Sequence, residues 1–105
     1  LDLDRLGEQQ LGAMAVTVID PVADYADLME RLFDFAAIRR WREEGRSFLF
    51  DAMSAVTGPY AREIFEQRLG FPAGTVWNGE PLDDFGGGHP DPNLTHARKL
   101  AARMM

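Results

Sequence analysis

The sequence has 105 residues, a net charge of −6 and no cysteine. A hydrophobic content of 46% argues against disorder of the whole chain and allows one domain with a modest core. The negative net charge and the absence of a long basic stripe argue against a protein that binds nucleic acid or anionic membranes. No apolar run approaches the ~20 residues of a membrane span. We expect a cytoplasmic protein without disulfides and with neither nucleic acid nor membrane as a partner.

The first part of the chain predicts one strand followed by two helices. The β-branched stretch VTVI at 16–19 is typical of a short strand. Asp20 is a suitable N-cap for an amphipathic helix over 21–33. Asp34 is placed to cap a second helix, and Gly45 suits a left-handed stop at its end.

The second part predicts two further strands and two further helices. The apolar stretch 47–53 is typical of a central strand, and 75–78 of another. Between them a third helix begins at Gly58 and ends at Gly70. Asn93 is a candidate N-cap for a last helix, with Leu94 on its apolar face.

The predicted order is β-α-α-β-α-β-loop-α, which indicates an α/β domain. We expect a small mixed or mostly parallel sheet packed between helices. Residues 1–14 would form a lead-in segment of mixed character and residues 15–105 the partial domain. Because the alternation ends on a helix, the predicted sheet apparently lacks its last strand.

The loop DFGGGHPDPNL at 84–94 admits three interpretations: a phosphate cradle, a metal site or a turn. Consecutive glycines at 86–88 let the backbone approach a phosphate, but they lack P-loop spacing, and a glycine turn is the commoner use of such residues. Nearby histidines and aspartates have the residue types of metal ligands at no standard spacing. These residues are Asp83, Asp84, His89, Asp91 and His96.

Asp51 is a separate candidate, near the carboxyl end of the predicted central strand. Ligands of open α/β sheets collect beyond such ends, so this acid could be functional. It could equally hydrogen-bond the following loop, residues 54–57. Both hypotheses stay open. No serine or threonine has an evident neighbouring base, so the sequence does not predict nucleophilic catalysis.

Four stretches, taken together, carry a resemblance to a known family. They are VIDPVADYADLM (18–29), FDF (33–35), FDAMSAVTGPYAREIFEQRLG (50–70) and PLDDFGGGHPDPNLTHA (81–97). They resemble the second domain of α-phosphoglucomutase, in the α-D-phosphohexomutase superfamily. The resemblance covers essentially the whole chain, and its last stretch is long and unusual in composition.

The resemblance implies a four-domain isomerase of carbohydrate metabolism that interconverts glucose 1-phosphate and glucose 6-phosphate. A phosphoserine would transfer the phosphoryl group through glucose 1,6-bisphosphate, with Mg²⁺ held by an Asp-x-Asp-x-Asp-Arg loop. This chain has no such loop. The resemblance therefore places no catalytic residue, no metal ligand and no bound cofactor on it. The segment would be scaffold next to the metal loop, with His89, Asp91 and Asn93 as cleft-side candidates for substrate contact.

The implied partners are the remaining domains of a parent chain and, through them, a sugar phosphate. We expect the segment to be inactive alone and to self-associate, because a sheet that lacks a strand exposes backbone and apolar groups. Two alternatives stay open. One is a stand-alone, non-catalytic α/β module that binds a ligand or a protein, and the other is part of a related phosphohexomutase for another sugar phosphate.

Overall fold

The computed structural model describes residues 1–105 and begins with a β-hairpin. Strand β1, Gly7–Leu11, pairs antiparallel with strand β2, Met14–Val18, across a two-residue loop. Gly12 in this loop has φ +61°, a left-handed conformation that glycine adopts without a steric penalty. The paired residues are Gly7 with Val18, Glu8 with Thr17, Gln9 with Val16, Gln10 with Ala15 and Leu11 with Met14.

The hairpin corrects the prediction for the N-terminal part of the chain. Strand β1 lies within residues 1–14, where no strand was predicted, and the predicted strand at 16–19 pairs with it rather than joining the central sheet. The one buried residue of β1 is polar: Gln9, 8% exposed, donates to the carbonyls of Asp2 and Arg5 at 2.5 and 2.9 Å. A strand whose inward side chain is an amide has no alternation of apolar residues to reveal it.

The first two helices were predicted correctly. Helix α1 spans Pro21–Leu32, and helix α2 spans Phe35–Glu43. The Asp20 carboxylate accepts hydrogen bonds of 3.0 and 3.3 Å from two N–H groups of α1, and Asp34 accepts one of 2.9 Å from α2. Gly45 follows α2 at φ +86°. No helix in the structure combines the length and the apolar character that a membrane span requires.

The third helix is irregular. Helix α3 spans Thr57–Ala61 and continues as a π-helical segment, Arg62–Arg68. Gly70, at φ +74°, follows it, as predicted. The backbone of α3 packs closely on the chain near the next strand, because a Cβ on Gly58 would overlap the carbonyl group of Gly79. Only glycine is compatible with this approach.

The second sheet consists of two very short parallel strands. Strand β3 is Phe50–Asp51 and strand β4 is Val76–Trp77, with Phe50 opposite Val76 and Asp51 opposite Trp77. The α/β class is confirmed, but the strands predicted over 47–53 and 75–78 are shorter, and they form a sheet separate from the hairpin. Strand β3 cannot extend because Met53 turns to a left-handed φ of +55°.

The core joins α2 to the π-helical segment and to the chain before β3. Phe35, Leu69 and Phe71 form a cluster in which no side chain is more than 5% exposed. The Phe48 ring stands edge-on to Phe65 and to Phe71, with centroids 4.8 and 4.7 Å apart. Phe50 of β3 also packs on Phe65, with centroids 5.4 Å apart, so aromatic packing holds the π-helical segment to the sheet.

The last helix begins later than predicted. Helix α4 spans Arg98–Met104, and Asn93 caps the preceding turn instead. Its side-chain oxygen accepts hydrogen bonds from the N–H groups of Thr95 and His96, at 2.9 and 3.1 Å. The capping interaction was inferred correctly, but the turn does not continue into the helix. Leu94, predicted on an apolar face, is 82% exposed.

Candidate functional site

A polar cleft of about 410 Å³ opens beyond the carboxyl ends of β3 and β4. This is the position at which ligands collect in open α/β sheets, and it makes the cleft the candidate functional site. Only two of its lining residues are hydrophobic. The lining consists of Asp51, Met53, Ser54, Asn78, Phe85, Gly86, Gly88, His89, Thr95, His96, Arg98 and Lys99.

All non-glycine residues with a left-handed backbone lie at this cleft. They are Met53, Ser54, Asn78 and Phe85, with φ between +46° and +55°. A left-handed φ costs an ordinary residue roughly 1–2 kcal/mol. Such strain persists only where the surrounding structure imposes it, and it clusters at ligand-binding and catalytic sites. The backbone therefore singles out the same cleft as the topology does.

Asp51 holds two of these strained residues in place. Its Oδ1 accepts a hydrogen bond of 2.9 Å from the Met53 N–H and one of 2.8 Å from the Asn78 side-chain amide. The carboxylate thus links the end of β3 to the end of β4. One hypothesis for Asp51 was a hydrogen bond to the loop 54–57. The structure shows such a bond to the chain after β3, but its donor is the Met53 N–H rather than a residue of 54–57.

The glycine stretch offers no unpaired N–H group to a ligand. A 3₁₀ turn covers Phe85–Gly87. Gly86 donates to the Asp84 carboxylate at 3.0 Å, Gly87 to the Asp84 carbonyl at 3.0 Å, and Gly88 to the Phe85 carbonyl at 3.2 Å. A phosphate cradle requires such N–H groups to point at the anion. The phosphate-cradle interpretation of these glycines is therefore wrong, and the stretch is a turn.

The structure separates the residues grouped as metal-ligand types. The His89 and His96 rings lie together in the cleft with centroids 4.6 Å apart. Asp83, Asp84 and Asp91 are not among the residues that line it. No three His, Cys, Asp or Glu side chains come together as a group that could hold a metal ion.

Of the three cleft-side candidates for substrate contact, one lines the cleft and two lie outside it. His89 lines the cleft. Asp91 and Asn93 lie outside it and bond to each other, with the Asn93 amide donating to the Asp91 carboxylate at 2.6 Å. Together with the turn that Asn93 caps, this pair holds the segment that carries the two histidines.

Sequence reasoning missed the cations of the cleft. Arg98 and Lys99 line it, and neither has a carboxylate oxygen within 4.0 Å. Lys99 is the only lysine of an acidic chain. Two adjacent cations directly after a loop with two histidines were a signal that could have been used. Their approach to Asp51, almost fifty positions earlier, depends on the tertiary fold.

Comparison with known proteins identifies the chain. No protein-family model matches it. The phosphoglucomutase of Rhizobium radiobacter is 60% identical to it over 100 residues, which are 95% of this chain and 18% of that protein. The chain corresponds to one segment of a phosphoglucomutase. The chloroplastic phosphoglucomutase 1 of Marchantia polymorpha matches this segment at 51% identity over 105 residues, 99% of this chain and 16% of that protein.

A solved structure supports the same assignment. Parafusin from Paramecium, an exocytosis-sensitive phosphoprotein described as a phosphoglucomutase and crystallised in an open form, superposes on the segment with a TM-score of 0.86. The two are 42% identical, over 96% of this chain and 19% of that one. The phosphoglucomutase segment thus spans less than a fifth of the length of these three relatives. The resemblance predicted from its four stretches is confirmed.

Proposed function

We propose that the chain is part of a phosphoglucomutase that interconverts glucose 1-phosphate and glucose 6-phosphate through a phosphoserine. The observation that carries this proposal is the 60% identity with the Rhizobium radiobacter enzyme over 95% of the chain. Within the parent enzyme the segment acts as scaffold, because it presents a cleft wall and no nucleophile with an adjacent base. Glucose is the proposed sugar because the three relatives described above are named phosphoglucomutases.

The residues of this chain would hold the cleft wall in place and supply positive charge near the reacting phosphate group. Asp51 fixes the ends of β3 and β4, and the cations of the cleft make its wall positive in a chain of net charge −6. Phosphoryl transfer depends mainly on positioning and on stabilising negative charge. A positive wall also attracts phosphate esters to the cleft.

Mg²⁺ and glucose 1,6-bisphosphate are proposed as cofactors of the parent enzyme. The acidic residues of this chain do not fit Mg²⁺, which requires several oxygen ligands in octahedral geometry. No group of three candidate ligands forms, and the Asp51 Oδ1 already accepts two hydrogen bonds. The metal would therefore be held by other residues of the parent enzyme.

An exchange of segments tests the proposed function. The homologous segment of the Rhizobium radiobacter phosphoglucomutase is replaced with this chain, and formation of glucose 6-phosphate is followed in a coupled assay. We expect kcat/KM within about tenfold of the unmodified enzyme, a loss of no more than ~1.4 kcal/mol of transition-state stabilisation. A chimera that folds like the parent enzyme but has no turnover would contradict the proposal.

The isolated chain serves as the matched control and addresses the alternatives. We expect no turnover of glucose 1-phosphate by the 105 residues alone. A folded isolated chain combined with an inactive chimera would favour a stand-alone binding module. Faster turnover of another hexose 1-phosphate by the parent enzyme would favour a related phosphohexomutase.

The proposed partners are the remaining domains of the parent chain. Strands β1 and β2 contact mainly each other and leave Leu11 and Met14 more than half exposed. Such open edges and apolar side chains favour pairing with another chain. We therefore expect the isolated segment to self-associate, and a monomer in sedimentation at high concentration would contradict this expectation.

We also propose a cytoplasmic location and a role in carbohydrate metabolism. The absence of cysteine supports a reducing compartment. Fractionation of the source cells, with the parent enzyme followed by its mutase activity, tests the location.

A further inference from the structure

We propose that Asn78 is a site of spontaneous deamidation and that the Asp51 carboxylate slows this reaction. The inference goes beyond the proposed function, since it concerns covalent chemistry of the chain itself and does not depend on mutase activity. Asn78 follows β4, lines the cleft and precedes Gly79 in the sequence. Deamidation adds a second carboxylate to a cleft lining that otherwise has only that of Asp51.

The reaction requires only these two neighbouring residues and water. The backbone nitrogen of Gly79 attacks the side-chain carbonyl carbon of Asn78, so a C–N bond forms and a five-membered succinimide ring closes. The bond to the amide nitrogen breaks, and ammonia leaves with the proton of the Gly79 N–H. Water then adds to one of the two ring carbonyls and breaks its C–N bond. The product is aspartate, or isoaspartate if the main chain now runs through the former side chain, and no oxidant or reductant is consumed.

The packing of α3 against the chain after β4 requires glycine at position 79. Gly79 is buried, and a Cβ at this position would lie 2.8 Å from Arg62 Nε and 3.1 Å from a methyl carbon of Val76. A side chain here would also shield the Gly79 nitrogen from the Asn78 side chain. Because the packing leaves no room for one, the nitrogen that attacks is the least hindered that a protein can offer.

A separate set of contacts favours asparagine at position 78. Its φ of +46° lies in the left-handed region, which asparagine tolerates better than most residues. Its carbonyl accepts a hydrogen bond of 2.9 Å from the Ser54 N–H, and its side-chain amide donates one of 2.8 Å to Asp51 Oδ1. The Asn-Gly pair therefore has one structural reason for each residue, and its reactivity follows from their combination.

The groups that react are accessible, and one hydrogen bond restrains them. The Gly79 N–H donates no hydrogen bond within the chain, so the attack breaks none on that side. Asn78 is exposed, so water reaches the succinimide. The side chain must rotate to present its carbonyl carbon to the Gly79 nitrogen, and this rotation breaks the bond to Asp51. A hydrogen bond to a charged group opposes such a rotation more strongly than one to a neutral group.

Peptide mapping of the 105-residue chain tests the site directly. The folded chain is kept at mildly alkaline pH, and samples from successive times are digested with trypsin and analysed by mass spectrometry. Cleavage after Arg68 and Arg98 gives one peptide, 69–98, that contains both asparagines of the chain. Asn93 precedes the bulky Leu94 and serves as the internal control.

We expect the mass gain of deamidation at Asn78, with isoaspartate among the products, while Asn93 stays unmodified. Methylation by an isoaspartate methyltransferase identifies the isoaspartate. A sample taken before incubation corrects for deamidation during digestion. Equal modification of both asparagines would overturn the proposal. So would an Asn78 that stays intact in the folded chain for as long as the urea-unfolded chain takes to lose it.

Two variants test the role of Asp51. Asp51→Ala removes the acceptor and should speed deamidation of Asn78 by about tenfold, because a hydrogen bond to a charged group is lost. The control Leu69→Val loses a comparable amount of stability in the core, far from Asn78 in sequence. It should change the rate by less than about twofold. Equal acceleration by both variants would show that the reaction proceeds through unfolding and would overturn the role of Asp51.

A milder variant keeps this test informative if Asp51→Ala does not fold. Asp51→Asn retains a neutral acceptor for the Asn78 amide, so deamidation should be faster by about threefold. An unchanged rate in this folded variant would count against the restraint.

Asn78→Asp shows what the modification does to the cleft. It replaces the donor to Asp51 by a carboxylate, so two negative charges face each other across the former hydrogen bond. We expect a lower midpoint of urea denaturation than for the original chain, and a smaller difference at high salt, which screens the repulsion. A midpoint equal to that of the original chain would contradict the proposed effect on the cleft. None of these measurements uses mutase activity, so their failure is distinct from failure of the segment exchange.

Discussion

Arg68 and the adjacent pair Arg98 and Lys99 are cations of the same acidic chain in very different surroundings. Arg68 lies in the helical body, which consists of α1, α2 and the π-helical segment, whereas Arg98 and Lys99 lie at the cleft. The Arg68 side chain is 19% exposed and donates to three carboxylates from two parts of the body. Arg98 and Lys99 are exposed and pair with no carboxylate. The comparison separates charge that holds the fold together from charge that is available to a ligand.

The geometry around Arg68 explains its structural role. It donates to Asp27 at 2.7 Å, to Glu63 at 3.0 Å and to Glu30 at 3.0 Å, and so ties the end of the π-helical segment to α1. These bonds, the one to Asp27 above all, raise the pKa of Arg68 further above its ordinary value. A raised pKa stabilises the fold at every pH below the ordinary value, and the effect is lost only as pH rises through the raised one. This contribution is therefore constant across the neutral range.

The largest effect should follow from breaking the helical body at its core. Leu69 is 2% exposed between Phe35 and Phe71. Leu69→Ala should lower the free energy of unfolding by about 3 kcal/mol, through lost burial and the cavity left behind. Chemical denaturation followed by circular dichroism measures the change. The control Leu94→Ala, at a leucine that is 82% exposed, should change it by less than about 0.5 kcal/mol.

A smaller effect should follow from breaking the cleft at Asp51. Asp51→Ala removes the acceptor of the Met53 N–H and of the Asn78 amide, so we expect a loss of about 1–2 kcal/mol. Asp51→Asn should recover most of this stability if the residue acts through hydrogen bonding. Urea denaturation of the two variants compares them. Equal destabilisation by both would instead indicate that the negative charge itself is needed.

The smallest effect should come from Arg68→Met. Its partners are partly exposed to solvent, which screens the interaction, so the melting temperature should fall less than in Asp51→Ala. The difference from the original chain should shrink further in about 1 M NaCl, where the Debye length is near 3 Å. Arg31→Met, at an arginine without an ion pair, is the matched control. A salt-independent loss would attribute the effect to packing of the side chain rather than to charge.

Local capping chemistry made part of the fold predictable. The starts of α1 and α2 follow from Asp20 and Asp34, whose carboxylates bond to N–H groups two or three residues away. The left-handed helix ends at Gly45 and Gly70 follow from the conformational freedom of glycine. Each of these features depends on a few neighbouring residues, so it survives in any compact fold that the chain adopts.

Strand pairing was not predictable in the same way. The hairpin strand β1 is stabilised by Gln9 and by its partner β2, and the strands β3 and β4 are only two residues long. Strand length and pairing depend on distant segments and on the left-handed turn at Met53. The apolar pattern at 47–53 is compatible with a longer strand. In the structure β3 ends at Asp51, where the Met53 N–H donates a hydrogen bond to the Asp51 carboxylate.

The sequence by itself determined the α/β class, the helix caps and, through the stretches that include DFGGGHPDPNL, the relation to phosphoglucomutase. These depend on residue types and on neighbours within a few positions. Only the tertiary structure decided which polar groups meet at the cleft. It engaged the glycine N–H groups in their own turn and brought Arg98 and Lys99 into the same cavity as Asp51. The physical reason is that a binding site depends on distances in space, which are set by packing between segments far apart in the chain.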